Sequence, residues 1–236
     1  MRPARPLIAC ALLLLVAQPA TAQVRAGEWV SYRDAYRTMV VFEKYGGPKN
    51  FLQSRLQVLP QDPGAARDEL QLTLAGKSTQ LNLALDALGR TVFPLQKAAY
   101  DENAALVLGR KDASLPLRFT LRQRVSIAVR PDGDYDTLDL RSACAQALDF
   151  ARHVDASWRS SQCVGVRFVF PKKAEGGARL RRADGVEQAL PAAPGAAFAD
   201  DADAGFPVVT WRFTSNAERA HVVTYNAPLA IVPLFE

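Results

Sequence analysis

Residues 70–85 read LQLTLAGKSTQLNLAL, with leucine at alternate positions on both sides of a short polar turn. Strict alternation of apolar and polar residues is typical of a strand with one buried face, and two such runs around a glycine-containing turn predict an antiparallel hairpin. A second alternating run, from residue 118 to residue 129, predicts a long strand. With the short strands between them, these runs predict a β-rich, antiparallel, sandwich-like module, which a helix over residues 29–45 precedes.

The chain then changes to a helical period. After the turn sequence Arg-Pro-Asp-Gly at 130–133, Asp136 is expected to cap a helix over residues 138–158, whose apolar side chains recur every three or four positions. The next apolar run, residues 163–170, is a predicted strand that ends at Pro171. One long helix is therefore expected to pack on an antiparallel sheet in the second half of the chain.

Length and composition fit two modules. The chain has 236 residues, of which 49% are hydrophobic and 22% charged, and these values exclude a disordered chain, a collagen and a coiled coil. We expect the α+β class, with the β-rich module at 23–131 and the helix-containing module at 132–236. Residues 191–205, rich in Ala, Pro, Gly and Asp, are predicted as a flexible loop, whereas the apolar tail 231–235 is expected to be docked.

The first residues have the pattern of an export signal. Arg2 and Arg5 precede an apolar run at 7–16, which is too short to span a membrane, and the small residues Ala20-Thr21-Ala22 follow it. We predict that residues 1–22 form a signal peptide, cleaved between Ala22 and Gln23. The mature chain is then expected in the periplasm or outside the cell, without a transmembrane segment. An uncleaved signal anchor is the alternative.

The chain has three cysteines, one in the predicted signal peptide and two in the predicted mature protein. Cys10 closes the tetrad Leu-Ile-Ala-Cys, which is similar to a lipobox, but most of the apolar run follows it, so we expect Cys10 to leave with the signal. Cys144 and Cys163 remain as a pair in an oxidising compartment, and a disulfide between them would contribute roughly 3 kcal/mol. The alternatives are a reactive thiol or half of a metal site. No Cys-x-x-Cys spacing is present and there are only two histidines, so no metal is expected.

A row of arginines is the candidate binding surface. On the strand at 118–129, the face opposite the apolar one carries Arg118, Arg122 and Arg124. Arg130, directly after the strand, continues the same alternation. Guanidinium groups on one sheet face can bind anions such as phosphate, lipid head groups or acidic glycans. A second basic cluster consists of Lys172, Lys173, Arg179, Arg181 and Arg182. The alternative is a solvated, salt-bridged face; no nucleic acid is expected, because no aromatic residues are interleaved with the basic ones.

Three weaker patterns in the sequence could belong to a metal site or a catalytic site. Asp132, Asp134 and Asp136 are spaced like the start of a calcium loop, but Gly and Glu are missing at the required later positions, and a turn with a helix cap explains the same residues. A Ser-His-Asp triad could be composed from Ser160 or Ser161 with His153 and Asp155, without a nucleophile-elbow motif. His221 is the other candidate for a hydrolase. No catalytic residue and no cofactor are assigned.

Residues 81–95, LNLALDALGRTVFPL, carry a family resemblance. The stretch resembles the strand-turn-strand of small transthyretin-like sandwich modules, and the layout of the chain resembles that of uncharacterised exported domain families of proteobacteria. The likeness implies a β-sandwich hairpin and supplies no catalytic residues.

These observations lead to one expected function and two alternatives. The signal, the cysteine pair and the lack of an acid–base or metal motif predict an exported soluble protein that acts without catalysis as an accessory or binding protein of the cell envelope. Its partner would be an envelope protein or an anionic envelope component. The alternatives are an anion binder that uses the arginine row, and a hydrolase of unrecognised type.

Overall fold

The computed structural model describes residues 28–62, 64–111, 113–174, 176–214 and 219–236. The predicted signal peptide therefore lies outside the described residues. These residues fold into three antiparallel sheets and three α-helices. This confirms the β-rich, antiparallel character expected from the sequence and agrees with the α+β class.

The first helix is α1 (Tyr32–Lys44), and the short strand β1 (Trp29–Ser31) precedes it. The predicted helix began at residue 29, but Trp29 to Ser31 pair with a later strand and are extended for that reason. Four residues of α1 recur at helical spacing and are buried: Tyr32, Ala35, Met39 and Phe42.

A five-stranded sheet contains the predicted hairpin. Strands β3 (Leu70–Ala75) and β4 (Gln80–Leu83) pair around the expected turn, and the sheet has the order β1-β6-β3-β4 with β7 also paired to β6. Strand β6 is Ala105–Arg110 and β7 is Ala113–Leu117, while a short helix α2 (Lys97–Asp101) lies between the hairpin and β6 in the sequence.

A seven-stranded sheet forms the centre of the molecule, in the order β13-β14-β10-β16-β8-β2-β5. Its strands are β2 (Leu52–Pro60), β5 (Arg90–Thr91), β8 (Phe119–Ile127), β10 (Cys163–Val169), β13 (Ala193–Gly195), β14 (Phe206–Arg212) and β16 (Ala230–Phe235). The apolar tail is thus docked, as expected, as an inner strand. The boundary predicted at residue 131 lies between β8 and the next strand, and this sheet takes strands from both sides of it.

The long helix α3 (Thr137–Val154) packs on the seven-stranded sheet. Asp136 caps it as predicted, because its side chain accepts hydrogen bonds from the backbone N–H groups of Leu138 and Asp139. The helix ends four residues earlier than expected, and Ala156–Ser160 continue as a 3-10 turn capped by Asp155. A four-stranded sheet completes the fold, in the order β12-β11-β15-β9, with β9 (Asp134–Asp136), β11 (Gly177–Arg182), β12 (Glu187–Pro191) and β15 (Ala220–Thr224).

Each face of the seven-stranded sheet is covered by a different part of the chain. One face is buried under α1, the five-stranded sheet and α3, with Leu56, Leu121 and Phe168 among its core residues. On the other face a smaller apolar cluster includes Ala197 and Phe198, both buried. The segment predicted as a flexible loop therefore contains a strand, β13, and two core residues.

The disulfide predicted between Cys144 and Cys163 is present. It joins α3 to the first residue of β10, with 6.0 Å between the two Cα atoms. Cys144 is fully buried, because it lies on the apolar stripe of α3 that faces the sheet.

Candidate functional site

A groove of about 1060 Å³ opens on the face of the seven-stranded sheet opposite α3. Leu59, Pro60 and Arg122 contribute to its lining from the sheet. The lining also includes Arg67 and Asp68 of a 3-10 helix, the turn at 85–87 and Lys111. Residues 171–173 and 200–203 complete the part of the lining used below. We call the segment 198–203 the acidic segment because it includes Asp200, Asp201 and Asp203.

The acidic segment binds two arginines of the predicted row. Arg124 donates to Asp200 at 2.7 Å and to Asp201 at 2.8 Å, and its Nε donates to Gln57 Oε1 at 2.6 Å. Arg122 forms an ion pair with Asp200. The Asp201 side chain is only 3% exposed and that of Arg124 10%, so this pair is buried. Arg122 and Arg124 therefore already have carboxylate partners within the chain.

Phe198 anchors the acidic segment between two guanidinium groups. The Arg124 guanidinium carbon lies 4.3 Å from the centre of the Phe198 ring and that of Arg90 lies 6.0 Å from it, both within cation–π range. Arg90 is almost completely buried and is held by Asp86, whose Oδ2 accepts from its Nε at 3.0 Å and from its Nη2 at 2.8 Å. This network ties residues before position 131 to residues after it.

Two carboxyls of the acidic segment, Asp200 and Asp203, have a lowered pKa. Burial by itself raises the pKa of Asp200, but the hydrogen bond and the charge of Arg124 outweigh it, so the pKa lies below its ordinary value. The same balance, with Lys172 as the cation, lowers the pKa of Asp203. The ion pairs therefore persist at neutral pH.

Arg118 and Arg130 take no part in this network. They lie beyond opposite ends of β8, Arg118 is exposed, and Arg130 donates to Asp132 at 2.9 Å. The structure brings Arg122 and Arg124 together and leaves the other two members of the predicted row apart. The proposed anion-binding role of the row remains a prediction.

Three basic residues line the groove together, and the sequence analysis did not predict that they would come together. Arg67 Nη1 donates to the Leu88 carbonyl at 2.6 Å and Lys111 Nζ to the Asp68 carbonyl at 2.7 Å, while Lys173 is exposed. Within the described part of the chain, none of the three forms an ion pair within 4.0 Å of a carboxylate, although the charge of Arg67 is close enough to Asp203 to help lower the pKa of that carboxyl. We call Arg67, Lys111 and Lys173 the free cations. Their positions, 106 residues apart at most by sequence number, gave no local signal.

The other acidic residues of the groove are mostly paired. Asp62 binds Arg110 at 3.0 Å and Asp203 binds Lys172 at 2.8 Å. Among the described residues Asp68 is the lining carboxylate without an ion-pair partner. The lining as a whole has six acidic and five basic side chains, and the three free cations differ from the other basic ones in having no ion-pair partner among the described residues.

The three aspartates of the calcium-like pattern have separate tasks. Asp132 accepts from Arg130, which lowers the pKa of Asp132 to about 2, and Asp136 caps α3. Asp134 contacts His221 Nδ1 at 2.6 Å and Arg181 at 2.7 Å. In the described ranges no group of three or more potential ligands comes together as a metal site.

The candidate triad is not assembled. His153 is exposed and its ring packs against Tyr45, with 5.1 Å between the ring centres. Asp155 accepts from the backbone N–H of Ser157, and neither Ser160 nor Ser161 hydrogen bonds to His153. His221, paired with Asp134 on the four-stranded sheet, lies on a different surface.

Comparison of the chain with protein-family models, with curated proteins and with solved structures gives no match. In the described part of the chain, none of the helices has the length and apolar character needed to cross a membrane.

Proposed function

We propose that this chain is an exported, non-catalytic binding protein of the cell envelope, and that its groove holds an anionic group of the ligand. The sequence pattern of residues 1–22 supports export. The Cys144–Cys163 disulfide supports it independently, because disulfides persist in oxidising compartments and are rare in the cytosol.

The free cations are the main evidence that the ligand has an anionic group. Arg67 and Lys111 donate to backbone carbonyls and form no ion pair within 4.0 Å among the described residues, which leaves further N–H donors for a ligand. Lys173 lines the same groove. The groove is also as large as the clefts that accept small molecules, which run to about 1,000 Å³.

The acidic segment decides which cations are available. Asp200 and Asp201 already pair with Arg122 and Arg124. The Arg122 pair is partly exposed, but at Arg124 an incoming anion would have to displace a buried ion pair. Breaking such a pair costs about 3–5 kcal/mol. We therefore assign the anion to Arg67, Lys111 and Lys173 and not to the arginine row.

The test is calorimetric titration of the mature protein with three anionic probes: inorganic phosphate, an oligogalacturonate, and phosphatidylglycerol vesicles compared with phosphatidylcholine vesicles. At least one probe should bind, and the Lys111→Gln/Lys173→Gln variant should bind it at least tenfold more weakly. The probe that binds identifies free phosphate, acidic glycan or lipid as the source of the anion.

The matched control is Lys44→Gln/Lys77→Gln, which removes the same charge at two exposed lysines outside the groove. Its binding should equal that of the unmodified protein. Failure of all three probes to bind, or an equal loss in both double variants, would contradict the proposal.

A hydrolase is the second candidate, favoured by the His221–Asp134 contact. A carboxylate on Nδ1 orients an imidazole as in general-base catalysis, although here Arg181 shares the same carboxylate. Any esterase or phosphatase activity found in the purified protein should disappear in His153→Ala/His221→Ala, and full retention of that activity would exclude both histidines.

A further inference from the structure

The outer face of the five-stranded sheet is a second surface, separate from the groove. The leucines of β3 and β6 point to the core, so the alternate residues point outward. Strand register places four outward residues in one row across the sheet, in the order Trp29, Val107, Thr73 and Asn82. The neighbouring row is formed by Ser31, Ala105, Ala75 and Gln80.

This face has no charged side chain in either row, although 22% of the chain is charged. At one edge the Trp29 side chain is exposed, with 57% of its surface accessible. At the other edge Asn82 and Gln80 are exposed amides. Adjacent strands are about 4.8 Å apart, so the two edges of the row are separated by about 14 Å.

The polar edge is oriented for a ligand. Thr73 Oγ1 donates to Asn82 Oδ1 at 3.3 Å, which leaves the Asn82 amide nitrogen free to donate outward. Between the edges, Ala75 and Ala105 have short side chains and keep the surface low. An extended molecule can therefore lie across the strands, with Trp29 under one end and the amides under the other.

We propose that this face binds a neutral oligosaccharide. A pyranose ring has an apolar C–H face that packs on an indole, and a rim of hydroxyls that pair with amides and hydroxyls, which matches Trp29 at one edge and Asn82, Gln80 and Thr73 at the other. The absence of charge favours a neutral occupant, because an anionic glycan, a nucleic acid or a charged peptide would meet no counter-charge in these rows. This proposal does not depend on the proposed anion-binding groove.

The experiment is calorimetric titration of the mature protein with chitopentaose, cellopentaose and maltopentaose. At least one should bind, and Trp29→Ala should weaken that binding at least tenfold. Asn82→Ala, at the opposite edge, should weaken it severalfold, and it serves as the second variant if Trp29→Ala fails to fold. Trp158→Ala is the matched control, since Trp158 is also exposed, at 38%, but lies in the 3-10 turn after α3.

Three results would overturn the proposal: no binding of any of the three sugars, unchanged binding in Trp29→Ala, or an equal loss in Trp29→Ala and Trp158→Ala. Sedimentation of the same samples tests a different occupant. A dimer that Trp29→Ala dissociates, together with no sugar binding, would assign the face to a second copy of the chain instead. The lysine variants of the groove should bind the sugar normally.

Discussion

At the scale of single residues, Arg124 has a structural role, because its charge is already paired within the protein. Its guanidinium group is hydrogen bonded to Gln57, Asp200 and Asp201 and lies over the Phe198 ring. Arg122, two residues away on the same face, is more exposed and pairs with Asp200 alone. The same residue type, in the same sequence pattern, therefore has two different energetic roles.

Replacement of Arg124 by Met should be strongly destabilising. It leaves Asp201 buried without its cation, and breaking a buried ion pair costs about 3–5 kcal/mol. Arg122→Met is the matched control and should cost about 1 kcal/mol or less, because partly exposed pairs contribute little. Urea unfolding measures both, and equal losses in the two variants would contradict the buried role of Arg124.

Asp200 predicts acid sensitivity. Because Arg124 and Arg122 lower its pKa in the folded state, its contribution to stability is complete above the ordinary aspartate pKa of about 3.9 and is lost as the pH falls through the lower folded value. Unfolding followed between pH 6 and pH 2 should show a shallower acid decline in Asp200→Asn than in the unmodified protein. Parallel curves would show that the ionisation of Asp200 is not linked to folding.

At the scale of elements, local patterns in the sequence specify the pieces that depend on near neighbours. Leucine alternation gives the β3–β4 hairpin, and the Asp136 cap with its apolar stripe gives α3. The acidic segment is different, because its structure depends on Gln57, Arg90 and Arg124, which lie far away in the chain. Its composition alone resembles that of a mobile loop, and this is why its role could not be predicted.

The disulfide stabilises the contact of α3 with β10. Replacing both cysteines by alanine should lower the free energy of unfolding by roughly 3 kcal/mol, since the bridge closes a loop of about 20 residues in the unfolded chain. Reduction of the unmodified protein should have a similar effect in the same urea titration. A double variant as stable as the oxidised protein would show that packing alone holds the helix.

Glu102 supports the β3–β4 turn from outside the hairpin. One of its oxygens accepts from the backbone N–H groups of Lys77 and Ser78, and the hydrogen bond from Ser78 is the main reason that the pKa of Glu102 is lowered. Glu102→Ala should speed hydrogen exchange at these two amides, whereas Asp101→Ala, which removes a surface pair with Lys97, should not. Unchanged exchange in Glu102→Ala would contradict this support.

At the scale of the whole molecule, the seven-stranded sheet joins the two predicted modules. Strands β2, β5 and β8 meet β10, β13, β14 and β16 in one sheet, and the acidic segment crosses the same junction through its ion pairs. This arrangement brings Arg67 and Lys111, from before residue 131, into the same groove as Lys173, from after it. The sequence indicated the number and kind of elements but not their order in the sheet, because strand order is decided by long-range contacts.

The most direct test of the anion-binding groove compares removal of charge from two free cations with removal of charge from the arginine row. Binding of the best anionic probe is measured by calorimetry for Lys111→Gln/Lys173→Gln and for Arg122→Met. The free cations should be essential, so the lysine variant should bind at least tenfold more weakly while Arg122→Met binds like the unmodified protein. Loss of binding in Arg122→Met with full binding in the lysine variant would contradict this assignment and return the site to the arginine row.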